Sequence, residues 1–183
     1  MHPVPGPITR RGAVGGAAVL LASCGSDDPR PPTGARAGSG AGLLNSLLAL
    51  EHTAVAAYGA GARLLRGQAL RYARQIEERE RGHVRRLEQL IRGLGGTAAR
   101  SRTPDEYARS FPRLRNGDDA LRFAEDLEER LVRAYLQALP KLPEPELRRA
   151  AAEICADEGA HLAALHVMRG RPAAPQPFVT GTL

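Results

Sequence analysis

Four glutamates and two histidines carry the chemistry this sequence offers. Glu51 and Glu128 stand alone, while Glu80 and Glu158 each open a Glu-x-x-His step that closes at His83 and His161. On a helix, residues three apart share a face, so each step aims a carboxylate and an imidazole the same way. Hard carboxylate oxygens with only a few imidazole nitrogens suit Fe or Mn. The residues also follow one plan used twice. Glu51 and Glu128 are 77 residues apart, as are Tyr58 and Tyr135; Glu80 and Glu158, His83 and His161, Ile76 and Ile154, and Leu87 and Leu165 are 78 apart.

The elements that must position these groups are four helices, each with an apolar stripe at helical spacing. The spacing predicts the first over about 41–66, with Leu44, Leu47, Leu48, Ala54, Val55, Tyr58, Ala62 and Leu65 on its stripe. A second follows over about 68–94, marked by Ala73, Ile76, Leu87, Leu90 and Leu94, and stops at Gly95-Gly96. After a polar connection holding Pro104, Pro112 and Asn116-Gly117, a third spans about 118–139 and a fourth about 144–169, with Gly170 as its C-cap. No β pattern competes. Continued along each helix, the stripes land on Glu51, on Glu80 and His83, on Glu128, and on Glu158 and His161. These are positions where a bundle places Leu. An isolated buried carboxylate costs several kcal/mol and must protonate, pair with a cation or bind a metal. No Arg or Lys shares the stripe positions, so the balancing positive charge is missing from the chain itself. Glu51 lies 16 residues before Gly67 and Glu80 lies 13 after it. At about 1.5 Å per residue their levels differ by about one turn, and all six groups can meet in one layer.

Composition bounds the rest. The chain has 183 residues, 43% hydrophobic and 25% charged, which suits one domain with a real core. No run reaches the roughly 18–20 apolar residues of a membrane-spanning helix. Two cysteines exclude a disulfide framework or a Cys-rich zinc module. The net charge of +6 comes from spread arginines without interleaved aromatics or a nucleic-acid motif, so no nucleic-acid partner is expected. Arg10-Arg11, the mildly apolar stretch Gly12 to Ala22, and Leu21-Ala22-Ser23-Cys24-Gly25 resemble a bacterial lipoprotein signal cut before Cys24. The paired arginines also resemble a twin-arginine signal. Residues 1–23 therefore read as a signal peptide and Cys24 as the lipidated residue, placing the domain outside the cytoplasm on the outer face of the cytoplasmic membrane. Residues 24–40, rich in Gly, Ser, Pro and Asp, read as a flexible tether, 41–170 as the folded domain and 171–183 as an extended tail.

One Glu, then Glu-x-x-His, then one Glu, then Glu-x-x-His on four helices resembles the ligand pattern of ferritin-like di-iron and di-manganese carboxylate proteins. Leu50-Glu51-His52-Thr53-Ala54-Val55-Ala56-Ala57-Tyr58 and Leu94-Gly95-Gly96 are similar to segments of exported bacterial ferritin-like domain proteins. The resemblance covers Ala41 to Gly170 and implies an all-α four-helix bundle with a long crossover between its second and third helices. The connection can reach: extended, residues 95–117 would span on the order of 75 Å, against about 40 Å for a 27-residue helix. The resemblance further implies two Fe ions, or two Mn ions. Glu51 and His83 would be terminal on one ion, Glu128 and His161 on the other, with Glu80 and Glu158 bridging. The activity implied is Fe(II) oxidation or reduction of O₂ or peroxide, with catalase-like disproportionation on manganese as a variant. The alternative from another class is a non-catalytic, lipid-anchored metal-binding or stress-protective bundle. A homodimer is plausible; a storage shell is not suggested by a tethered domain. Lesser candidates are His52 and His166 beside the stripe, Glu77 one turn from Glu80, and Glu129 as the rival of Glu128. Tyr58 and Tyr135, two turns beyond the lone glutamates, are candidates to hydrogen-bond the ligand shell or to act in electron transfer, with half-buried core tyrosines as the preferred reading, and Cys155 is expected as a small buried hydrophobe.

Overall fold

The computed structural model describes residues 40–175. Residues 1–39, which hold the expected signal peptide, Cys24 and most of the expected tether, and residues 176–183 lie outside the described residues. Five α-helices follow one another, α1 (Gly40–Gly61), α2 (Gly67–Gly93), α3 (Pro104–Ser110), α4 (Gly117–Ala138) and α5 (Pro145–Met168), and no strand occurs among the described residues. None of these helices is long and apolar enough to cross a membrane.

The repeat in the sequence is a repeat in structure. Helix α4 begins and ends 77 residues after α1, and the short 3₁₀ turn Ala62–Leu64 that closes α1 recurs 77 residues on as Leu139–Lys141. The four long helices lie within two residues of their expected ends, except that α1 gives way to that turn at Ala62. An arginine clasps each hairpin bend. Arg66 donates to the carbonyls of Arg63 and Leu65 at 2.9 and 2.7 Å, and Arg148 to those of Leu142 and Pro143 at 2.6 and 2.8 Å. Gly67 turns the first bend at φ +57°, a left-handed conformation costly for any other residue.

The two hairpins face each other. Tyr58 of α1 meets Glu128 of α4 and Tyr135 of α4 meets Glu51 of α1, so these helices run antiparallel. Arg86 of α2 approaches Glu146 of α5, and Arg79 approaches Asp157, so this pair is antiparallel too. The chain must then travel the length of the bundle between α2 and α4. Near its start the connection is pinned to α1 by Asn45, whose side-chain amide donates to the Thr97 carbonyl at 2.9 Å and accepts from the Ala99 amide at 2.7 Å. Its end lies at the opposite pole, where Gly117 sits so close to Leu64 that an added Cβ would stand 3.2 Å from the Leu64 carbonyl oxygen.

The connection, read from the sequence only as a polar stretch, carries a short helix. Thr103 and Glu106 form a capping box around Pro104, and α3 results. Tyr107 of α3 is buried and stacks on Phe111, which in turn packs against Phe123 of α4 with ring centroids 5.0 Å apart. A second departure is Leu94, expected on the α2 stripe but 40% exposed, because α2 has already ended at Gly93.

The core divides in two. The larger apolar cluster includes Leu44, Leu48, Leu87, Ile91, Leu131 and Ile154; the smaller includes Leu65, Ala73, Ile76, Leu121 and Leu165. On α2 and α5 the polar residues Glu80, His83, Glu158 and His161 fall in the interval between them. The bundle therefore presents a polar layer sealed above and below by hydrocarbon.

Candidate metal centre

All six residues singled out by spacing come together in that layer. Glu51, Glu80, Glu128 and Glu158 are fully buried, and His83 and His161 nearly so. Their ligand atoms form two groups that could each hold a metal ion: Glu51, Glu80, His83 and Glu158 in one, Glu80, Glu128, Glu158 and His161 in the other. Within each group one atom per residue lies within 4.8 Å of all the others. Glu80 and Glu158 are common to both.

The arrangement has the two-fold character of the repeat. His83 Nδ1 lies 2.9 Å from Glu158 Oε1, 3.5 Å from Glu51 Oε2 and 3.6 Å from Glu80 Oε2. His161 Nδ1 lies 2.8 Å from Glu80 Oε1, 3.7 Å from Glu128 Oε2 and 3.2 Å from Glu158 Oε2. The two rings stack with centroids 5.9 Å apart. Both tyrosines, expected half-buried in the core, are instead buried outright and engaged by the site. Tyr135 donates its phenol hydrogen to Glu51 Oε1, and Tyr58 donates to Glu128 Oε1. Each tyrosine thus serves the terminal glutamate of the opposite hairpin.

One oxygen of each terminal glutamate is satisfied in this way and the other is not. Glu51 Oε2, Glu128 Oε2, both oxygens of Glu80, Glu158 Oε1 and His83 Nδ1 are buried without a well-aligned hydrogen bond, their nearest polar neighbours being one another. Buried polar atoms are normally paired, and a cluster of unpaired ones marks a missing partner. No guanidinium or ammonium among the described residues fills that role, since the ion pairs of these carboxylates are to His83 and His161 alone. The atoms left over are lone-pair donors directed at common points, as divalent-cation ligands are.

Electrostatics point the same way. Burial pushes the carboxyls of Glu51 and Glu128 well above the usual range, outweighing the pull of His83 and His161. Burial also opposes ionisation of Glu80, but His161 and His83 beside it win and hold it down at about 2. Burial disfavours the charged imidazoles too, yet the carboxylates prevail. His83 is raised far above its ordinary value by Glu158, Glu51 and Glu80, and His161 is pushed up to about 12 by Glu128, Glu158 and Glu80. Without metal, protons on imidazoles and outer carboxyls supply the positive charge that the layer demands. Burial, then the neighbouring glutamates, push the Tyr58 and Tyr135 phenols upward, so both remain neutral donors.

The lesser candidates fall elsewhere. His52 is half-buried with Nε2 3.3 Å from the Ala99 carbonyl oxygen, and Glu77 pairs with Arg81 at 2.5 Å on the surface of α2. Glu129, half-buried, groups with Glu125 and His166 away from the layer. His166 is buried 3.4 Å from Glu125, which is itself buried and paired to Arg169 and Arg171. Cys155 is half-buried against the larger cluster.

Two residues went unseen in sequence. Glu125 looks like a solvated glutamate until the residues after α5 fold back to meet it. Asp157 accepts from the outward nitrogen of His83, Nε2, at 3.4 Å, and its only sequence signal is its place immediately before Glu158.

The sequence profile of the ferritin-like domain matches residues 39–171. Several solved structures share the fold, two of them as follows. A conserved hypothetical protein, rv2844, from Mycobacterium tuberculosis superposes with a TM-score of 0.65 at 14% identity, covering 73% of this chain and 99% of that one. A ferritin-like, diiron-carboxylate protein from Bacillus anthracis str. Ames superposes with a TM-score of 0.61 at 22% identity, covering 70% of this chain and 94% of that one. None of the curated protein sequences matches the chain.

Proposed function

The chain belongs to the ferritin-like family, and from that footing we propose that it binds two iron ions, or two manganese ions, at the six-residue layer and uses them to oxidise Fe(II) or to reduce O₂ or peroxide. The observation that carries this reading is the convergence of four buried carboxylates on two imidazoles, several of their oxygens without an aligned hydrogen bond and no arginine or lysine to answer them. Four carboxylates and two neutral imidazoles sum to the charge that two divalent cations cancel. The B. anthracis structure of the same fold is a diiron-carboxylate protein by description, which supports the choice of metal.

Glu80 and Glu158, shared by both groups, would bridge; Glu51 with His83 and Glu128 with His161 would complete the two ends. Iron or manganese held this way supplies redox and Lewis-acid chemistry toward oxygen species. The protein's own part is to fix and to seal. Tyr135 and Tyr58 each hold one oxygen of an outer glutamate, leaving the second aimed inward. The apolar clusters on either side keep bulk water from the layer and strengthen every charge interaction inside it.

A second reading, metal binding without turnover, is favoured by that same closure, since all four carboxylates have no exposed surface. The experiment that separates them gives the full chain Fe(II) in large excess over the site under argon, as both substrate and electron source, and then admits O₂ or H₂O₂, with protein-free Fe(II) as the blank. Repeated consumption, absent in Glu158→Ala, supports the enzyme; one equivalent consumed and no more supports the binder. We further propose, from the N-terminal sequence, that the domain is exported and tethered to the outer face of the membrane through Cys24.

A further inference from the structure

The two halves of the layer copy each other except at one point on the far side of the histidines. His83 Nε2 has a carboxylate acceptor, Asp157, at 3.4 Å, and Asp157 is itself held by Arg79 at 3.3 Å. Asp157 reaches this place because it immediately precedes Glu158 on the helix facing His83. The 78-residue offset makes position 79, immediately before Glu80 on α2, the counterpart of Asp157. That residue is arginine, which has no acceptor to offer. His161 Nε2 is accordingly buried with no partner among the described residues.

A histidine that ligates through one ring nitrogen works best when the other donates to a carboxylate, which fixes the tautomer and raises ligand basicity. His83 is so equipped; His161 instead leaves an N–H unsatisfied in the core, itself a cost.

Resting on the dinuclear reading above, we propose that the two ends of the centre bind metal unequally. The Glu51–His83 end fills first and more tightly, with Asp157 as the residue that positions His83, and the Glu128–His161 end fills second, weakened by Arg79. Loss of such an outer partner lowers metal affinity about 10- to 100-fold, which sets the expected separation of the two steps.

The test adds Co(II) stepwise to the metal-free full chain under argon, followed by calorimetry and visible absorption. Two resolved steps are expected, one ion each, about 10- to 100-fold apart in affinity. Asp157→Ala, a change at a half-exposed position, should weaken only the first step and bring the two together. Arg79→Asp should tighten the second; because it also frees Asp157 from its ion pair, Arg79→Ala, which frees Asp157 without adding an acceptor, is titrated beside it and should leave the second step unchanged. Two equal steps in the native chain, or a first step indifferent to Asp157→Ala, would overturn the inequivalence and leave the dinuclear reading standing. Failure to bind any Co(II) would instead overturn both, and is told apart by stoichiometry alone.

Discussion

Each outer glutamate of the layer depends on a phenol from the opposite hairpin. Replacing Tyr135 with Phe leaves Glu51 Oε1 buried with no donor, and Tyr58→Phe does the same to Glu128. An unsatisfied buried acceptor costs about 1–3 kcal/mol, so each variant should show that loss in urea unfolding of the metal-free chain. Unchanged midpoints would mean the phenols are passive filler. The same residues predict a pH dependence. His83 and His161 are raised in the folded chain, so their stabilisation is complete below an unfolded pKa of about 6.5 and is lost as pH climbs toward the folded values. Each proton that only the folded chain holds removes about 1.4 kcal/mol per pH unit in that window. Glu51 and Glu128, also raised, act in the same sense from about pH 4.3 upward, while Glu80 contributes until pH falls through about 2. The Tm of the metal-free chain should therefore fall between pH 6.5 and 9. Metal must displace the same protons, so the Tm gained on adding Mn(II) should grow over that interval. A gain that shrinks with pH would contradict the assignment.

At the scale of elements, the long helices and the layer they build were legible because two signals agreed. Helical spacing named the buried positions, and the 77–78-residue offset chose Glu128 over Glu129 without any structure. What escaped depended on contacts between segments far apart in sequence. Helix α3 had its local signal in Thr103-Pro104-Asp105-Glu106, yet its packing rests on Tyr107 and Phe111 reaching Phe123. Glu125 becomes a buried ion only through Arg169 and Arg171, some forty residues on. Asp157 acquires its role from a histidine on another helix. The crossover is anchored at its start by Asn45. Asn45→Ala should release that segment, raising the rate of limited proteolysis between residues 95 and 103 while far-ultraviolet circular dichroism stays unchanged. Equal cleavage rates would show that α3 alone holds the crossover.

At the scale of the whole molecule two proposals meet: a dinuclear centre closed off within the core, and export of the domain on a lipid tether. The second half makes its own prediction: Cys24→Ala should move the protein from the membrane fraction to the soluble extracytoplasmic fraction, and an unchanged distribution would refute lipid anchoring. The first half carries the rest, because four carboxylates with no exposure are tolerable in a core only if something positive joins them. The most direct test is metal analysis of the full chain purified without a metal-binding tag from iron- and manganese-replete cells, beside Glu80→Ala and Glu158→Ala. About two Fe or Mn per native chain are expected, with most of the metal lost in both variants. A folded native protein that emerges empty, or variants that keep the full complement, would contradict it.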